Sequence, residues 1–333
     1  MAAPVSVPRG RWAPSPSGLL HVGNARTALV AWLAVRSRGG SFLWRLEDLD
    51  PPRTVPGMAE AALEDLAWLG LDWDEGPDRG GPHAPYQQSQ RGDVYQAALS
   101  RLAASGRLFP CRRSRKDLQQ LATAPHGREG LPPYPPELRP RHLEAGWFER
   151  RRQLPQPDSA LRFRVQEEPV TFVDRVYGEQ TERVDLEVGD FVLERRDGLC
   201  AYQLAVVVDD LAMGVNDVVR GADLLASTAR QLQLIAALGG SPPAYAHVPL
   251  VLNAEGEKLS KRDSGLTLSS LRAAGTQPRQ VVGYLAWSLG LLERAEACSP
   301  AELLPGFAWE RLRREDWRLP ADLAATLAAL ESR

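Results

Sequence analysis

Between Arg11 and Leu46 the sequence runs through an apolar strand, a proline-set turn, a helix and a second apolar strand. That order constrains the fold more than any other feature. Arg11-Trp12-Ala13 reads as the first strand and Pro14-Ser15-Pro16-Ser17-Gly18 as a rigid polar turn. His21-Val22-Gly23-Asn24 opens a helix along which Ala25, Ala28, Leu29, Trp32 and Leu33 recur at helical spacing. Arg36 and Arg38 fall at its end, and Gly39-Gly40 stops it. Phe42-Leu43-Trp44-Arg45-Leu46 is the second strand, ending in Glu47-Asp48-Leu49-Asp50-Pro51. Strands joined through a helix lie parallel, and an open α/β sheet binds ligands at their carboxyl ends.

The loop after the first strand suits a phosphate-bearing ligand. Gly23 has no Cβ, so a base or ribose can lie against the backbone where the helix starts. Backbone amides and the positive dipole end favour polyphosphate there. The turn lacks the G-x-G-x-x-G spacing of dinucleotide folds, which argues against NAD. His21 by itself fits a helix cap as well as a ligand.

A second loop carries a complementary signal. Of 40 basic residues only three are lysines, and two of them, Lys258 and Lys261, lie in Glu257-Lys258-Leu259-Ser260-Lys261-Arg262. The loop follows an apolar run, His247-Val248-Pro249-Leu250-Val251-Leu252, and a turn, Asn253-Ala254-Glu255-Gly256. A compact, mobile ammonium neutralises phosphate from a flexible loop in a way that a planar guanidinium does not match. Taken alone, the segment reads as a solvated basic loop.

Together the two elements resemble the paired signatures of class I aminoacyl-tRNA synthetases. Ala13-Pro14-Ser15-Pro16-Ser17-Gly18-Leu19-Leu20-His21-Val22-Gly23-Asn24 is similar to the first, and Lys258-Leu259-Ser260-Lys261-Arg262 to the second. Three further stretches resemble the glutamyl branch. They are Arg45-Leu46-Glu47-Asp48-Leu49-Asp50-Pro51-Pro52-Arg53, then Gln88-Ser89-Gln90-Arg91, then Arg196 to Asp210 continued by Val219-Arg220-Gly221-Ala222-Asp223-Leu224-Leu225. The resemblance spans residues 9–265.

It implies an α/β, Rossmann-type catalytic domain with an inserted α/β RNA-contact domain and a helical C-terminal segment. The expected division is 1–105 for the first half of the catalytic domain, 106–188 for the insert, 189–265 for the second half and 266–333 for the tail. Helices are expected in the tail around Val281, Leu285, Leu289 and Leu303. Only 71 residues follow Arg262, too few for the large anticodon-binding region of a full glutamyl-tRNA synthetase. The resemblance therefore narrows to the shortened group that loads glutamate onto queuosine at the wobble position of tRNA(Asp).

Composition is that of a globular chain, 44% hydrophobic and 25% charged. No apolar run reaches membrane-spanning length and residues 1–8 lack a secretory core, so a cytoplasmic enzyme is expected; it is also expected to be a monomer. The net charge of −2 conceals an uneven distribution. Seven acids and no base lie between Glu60 and Asp78, whereas Arg107, Arg112, Arg113, Arg115 and Lys116 form a basic stretch. A second comprises Arg139, Arg141, Arg150, Arg151, Arg152, Arg162 and Arg164. Both stretches lie where the family inserts its RNA-gripping domain and are expected to contact the RNA backbone, beside an irregular segment marked by Pro132, Pro133, Pro135 and Pro136. A plain solvated face is the alternative.

Many relatives hold zinc in that insert through a Cys-x-Cys pair, a tyrosine and a further cysteine. Here Cys111 and Tyr134 stand at two of those positions, but Arg113 and Leu138 occupy the others. Two donors cannot complete a tetrahedral site, so no structural zinc is expected. Cys200 and Cys298 are isolated.

The resemblance also distributes roles. His21, Lys258 and Lys261 would be catalytic. Ala13, Pro14, His21, Gly23, Asn24, Leu259 and Lys261 would surround ATP, whose phosphates bring Mg²⁺. Arg11 and Arg220 would hold the carboxylates of L-glutamate, Ser15 and Tyr202 would add hydroxyls, and Glu47 would take the ammonium. Asp209 and Asp210, after the run Val206-Val207-Val208, read as a strand end without a catalytic role. Three alternatives remain: a truncated glutamyl- or glutaminyl-tRNA synthetase, a non-catalytic RNA-binding paralogue, and a related nucleotidyltransferase with a small adenylated product.

Overall fold

A computed structural model describes residues 7–114, 117–118, 133–259 and 264–330. In it β1 (Arg9–Trp12), α1 (Val22–Arg36) and β2 (Ser41–Trp44) form the expected unit, with the two strands parallel and Trp12 opposite Trp44. Helices α2 (Met58–Leu69) and α3 (Gly92–Ala104) follow, then β3 (Leu108–Cys111), α4 (Trp147–Arg152) and β4 (Ala160–Phe163). The chain continues through the hairpin β5 (Val170–Asp174) and β6 (Gly178–Glu182), α5 (Val184–Glu187), β7 (Val192–Glu194), α6 (Tyr202–Ala212), β8 (Asp217–Gly221), α7 (Thr228–Ala237) and β9 (Ala244–Val248).

The main sheet has the order β2-β1-β8-β9-β5-β6. Its first five strands are parallel, and β6 runs antiparallel along the edge. Strand order reverses beside β1, because β2 packs on one side of it and β8 on the other. A crevice opens at such a reversal, between loops that leave in opposite directions.

Residues Ala28 to Val35 of α1 are all buried, so the helix has a covered face on every side. One side rests on β1 and β8, and the other meets the C-terminal helices. These are α8 (Leu268–Ala273), α9 (Pro278–Leu289), α10 (Pro300–Leu303) and α11 (Leu323–Ala328). Burying each leucine there, Leu285 and Leu289 among them, contributes about 1.5–3 kcal/mol. Buried Arg26 of α1 donates to Ser288 Oγ at 3.0 Å, to the Ser288 carbonyl at 3.1 Å and to the Pro249 carbonyl at 2.8 Å. The short β10 (Val251–Leu252) pairs with β11 (Trp317–Arg318), so the tail also contributes a strand.

Two sequence expectations change. The run Val206-Val207-Val208 is not a strand but the middle of α6. Leu204 to Asp210 are all buried, with α3, α7 and β7 packed around them. A helix covered on all sides loses its amphipathic period, and a β-branched run inside it mimics a buried strand. The boundary expected at residue 188 is also crossed in both directions. β5 and β6 join the main sheet, whereas β7 pairs with β4 in the separate antiparallel sheet β3-β4-β7.

The basic stretches divide as well. Arg139 is ion-paired with Asp190 at 2.7 Å, and buried Arg151 with Glu194 at 2.6 Å. Arg162 is buried, donates to the Asp190 carbonyl and lies over the Tyr134 ring at 4.4 Å. These three arginines hold the insert together and are not presented to RNA, contrary to the sequence reading. Arg113, Arg141 and Arg152 are exposed, and Arg115, Lys116 and Pro132 lie outside the described residues. At the position of the family's zinc, Cys111 Sγ is 3.6 Å from Tyr134 Oη, whose hydroxyl donates to the Leu138 carbonyl at 3.2 Å. No helix among the described residues is long and apolar enough to cross a membrane.

Candidate active site

A cavity of about 710 Å³ opens at the carboxyl ends of β1 and β8. Arg11, Ala13, Pro14, Ser15, His21, Gly23, Asn24, Glu47, Tyr202, Arg220, Lys258 and Leu259 all line it. The sequence had selected these residues from five separate stretches. Ser260, Lys261 and Arg262 lie outside the described residues.

The first-loop geometry begins at the helix cap. His21 is the N-cap of α1, and its Nδ1 accepts from the Gly23 and Asn24 amides at 3.1 and 3.2 Å. Asn24 Oδ1 accepts from the His21 amide at 3.0 Å and closes the reciprocal box. Because Nδ1 accepts, the ring proton sits on Nε2, the donor end. A Cβ on residue 23 would meet His21 Cε1 and Nδ1 at 3.0 Å. Gly23 therefore also makes room for the histidine ring, a reason that the sequence did not reveal.

Beneath the cavity is a buried cluster of charges. Arg45, with its side chain fully inaccessible, pairs with Asp210 at 2.7 Å, Glu47 at 3.2 Å and Asp209 at 3.7 Å. Asp209 in turn accepts from Arg91 at 2.6 Å, Gln88 at 2.8 Å and the Tyr95 hydroxyl at 2.9 Å. Arg11 approaches Asp210 at 3.4 Å and donates to the Val219 carbonyl at 3.2 Å. The Arg45, Gln88-to-Arg91 and Asp209-Asp210 stretches thus meet as one scaffold, and α6 places both aspartates. Burial disfavours the Asp210 carboxylate, but Arg45 and Arg11 outweigh it and hold its pKa below the usual range. Burial dominates at Glu47 and raises its pKa despite Arg45 and Arg11. A cation arriving beside Glu47 would relieve that penalty.

Replacing Arg45 with methionine leaves Asp209 and Asp210 buried with less compensation. The expected loss is about 3–5 kcal/mol of stability, read as a lower urea midpoint. A midpoint equal to that of the unaltered chain would mean that the cluster carries no such energy.

Arg220 stands apart from this cluster. It is 5% exposed, and three of its N–H groups go to neutral acceptors: His247 Nε2 at 3.0 Å, Gln231 Oε1 at 2.7 Å and Thr228 Oγ1 at 3.0 Å. No carboxylate among the described residues lies within ion-pair distance, so the cation faces the cavity with no protein carboxylate in direct contact. A ligand carboxylate fits such a place. Tyr202, 36% exposed, faces the same cavity from the first residue of α6. Lys258 is ion-paired with Asp223, and both line the opening.

Sequence reasoning passed over Asp223 and Arg53, which line the cavity, and over His247 behind Arg220. His247 had read as one member of an apolar run. Its signal was the register of β8 and β9, which sets it opposite Arg220, and register cannot be read from a single strand.

A sheet reversal flanked by these two signature loops defines a class I synthetase catalytic unit. The family model for tRNA synthetases class I (E and Q), catalytic domain, matches residues 8–317, and the chain belongs to that family. It is 50% identical over 321 residues to the Glutamyl-Q tRNA(Asp) synthetase of Symbiobacterium thermophilum, covering 96% of this chain and 98% of the relative. The Glutamyl-Q tRNA(Asp) synthetase of Nitratidesulfovibrio vulgaris is 45% identical over 325 residues, covering 98% and 99%. Among solved structures, the glutamate tRNA ligase of Elizabethkingia meningosepticum in complex with its amino acid superposes with a TM-score of 0.83 at 29% identity. The match spans 97% of this chain and 69% of that one.

Proposed function

We propose that the protein activates L-glutamate with ATP to glutamyl-adenylate without tRNA, then transfers the glutamate to the queuosine base at the wobble position of tRNA(Asp). The observation that carries the amino-acid half is Arg220, a buried cation facing the cavity with neutral neighbours on three of its N–H groups. With Arg11 it suits the two carboxylates of glutamate, and Glu47 across the same cavity suits the ammonium. Ser15 and Tyr202 supply hydroxyls. Ala13, Pro14, Gly23, Asn24 and Leu259 border the volume where adenosine would lie. The acceptor rests on the full-length likeness to relatives that bear the glutamyl-Q name.

In the first step a glutamate α-carboxylate oxygen bonds to the α-phosphorus of ATP and the bond to the β-phosphate breaks, releasing pyrophosphate. Negative charge grows on phosphate oxygens, so catalysis is positioning plus positive charge. His21 donates from Nε2, Lys258 and Lys261 supply ammonium groups, and Mg²⁺ brought in with ATP would add further positive charge. In the second step a queuosine hydroxyl attacks the adenylate carbonyl and AMP leaves. We assign residues 1–105 and 189–265, together with the β5–β6 hairpin that joins the main sheet, to catalysis and the rest of 106–188 chiefly to RNA contact, with the anticodon arm of tRNA(Asp) as partner and a monomer in the cytoplasm as the working form.

Glutamate-dependent ATP–pyrophosphate exchange without RNA tests the first half, and glutamate transfer to tRNA(Asp) with or without queuosine tests the second. Exchange with glutamate and transfer only to queuosine-bearing tRNA are expected. No exchange with any amino acid would sink the enzyme reading. Labelling of the 3′ end of tRNA(Glu) would make the chain a short glutamyl-tRNA synthetase instead.

A further inference from the structure

Behind Arg220 a second buried acid acts through an intermediary. Asp174, at the end of β5, is 1% exposed, and its Oδ2 lies 2.7 Å from His247 Nδ1. His247 is fully buried near the carboxyl end of β9, and its Nε2 accepts from Arg220 Nε at 3.0 Å. A guanidinium N–H only donates and an ionised carboxylate only accepts. One protonation state satisfies both contacts: a neutral imidazole with its proton on Nδ1 and its lone pair on Nε2.

We propose that Asp174 and His247 are positioning residues that fix Arg220 for the glutamate carboxylate while keeping the aspartate's negative charge one ring away from it. An aspartate bonded directly to Arg220 would neutralise the cation and compete with substrate. The histidine supplies an acceptor without a charge, as Gln231 and Thr228 do on the two terminal nitrogens. The inference rests on the reading of the cavity as a glutamate site.

The surroundings hold this tautomer. Asp174 Oδ1 accepts from the Val176 and Tyr177 amides at 2.9 Å each, and from the His247 amide at 3.3 Å. Burial opposes the Asp174 charge, but the His247 bond and those amides outweigh it and hold its pKa below the usual range. Burial pushes the His247 pKa down, and Arg220 and Arg11 add to this while Asp174 opposes it. Every titratable group facing the ring is therefore in view: Asp174 from β5, Arg220 from β8, Arg11 from β1 and the stacked Tyr245 from β9, its centroid 6.2 Å away.

Asp174→Asn is the decisive change because it is isosteric. The backbone amides keep the amide oxygen at the Oδ1 position, so the new NH₂ faces Nδ1 and drives the ring proton to Nε2. Two donors then oppose each other at Arg220. In exchange assays KM for glutamate is expected to rise about 10–100-fold, with KM for ATP within about twofold and kcat changed much less than KM, as for lost ground-state positioning. A ¹⁵N spectrum of His247 at about pH 7.5, above the ordinary histidine pKa of about 6.5, should show the neutral Nδ1–H tautomer in the unaltered protein. The variant should show Nε2–H.

A folded Asp174→Asn protein with unchanged KM for glutamate would overturn the proposal. So would an Nε2–H or protonated ring in the unaltered protein, a measurement that decides the matter even where the variant fails to fold. An unaltered protein that binds no glutamate would break the reading of the cavity, and the ring's tautomer would still report on the Asp174–His247–Arg220 chain.

Discussion

Glutamate-dependent pyrophosphate exchange is expected to fall about 10²–10³-fold when Lys261 is replaced by alanine, which is the cost of losing one donor to transition-state charge. A 10²-fold loss corresponds to about 2.7 kcal/mol of barrier. Lys261 itself lies outside the described residues, but the chain on either side is fixed at the cavity. Leu259 lines it before the lysine, and Thr267 lines it afterwards and bridges to His21. Because charge builds only as the phosphorus is attacked, the loss should appear in kcat, with KM for glutamate nearly unchanged. Exchange within threefold of the unaltered enzyme would remove Lys261 from the mechanism.

Arg220→Met should act in the opposite column of the same assay. Removing one partner of a buried charge pair costs about 2–5 kcal/mol, and each 1.4 kcal/mol is a factor of ten. KM for glutamate should therefore rise by about 10²-fold or more, with KM for ATP little altered. The folded chain should tolerate the change better than it tolerates Arg45→Met, because Arg220 has neutral partners and its loss strands no buried carboxylate. An increase in KM below about tenfold would mean that another cation takes the carboxylate.

How much of this was visible in the sequence depended on range. The unit β1-α1-β2 could be read because its strands, turn and helix are contiguous, and the residues that line the cavity could be picked out because they fall in motif-bearing stretches. The helix of α6 could not, since neighbours far along the chain cover Val206, Val207 and Val208 and erase their period. Arg139, Arg151 and Arg162 looked like an RNA footprint because composition does not distinguish an exposed arginine from one paired with Asp190 or Glu194. The partnership of His247 with Arg220 is a matter of cross-strand register, which exists only once the sheet has formed.

Arg26 has a consequence for rebuilding the molecule. Its guanidinium joins the helix that starts at the first signature to Ser288 in the tail and to Pro249 ahead of the second signature. A chimera that swaps the segment after residue 265 would take Thr267 from the cavity rim and leave Arg26 without its Ser288 partner. The practical splice point for grafting a new RNA-reading module lies beyond α11, where the tail has delivered its strand and buried Leu323 and Leu327 in the core.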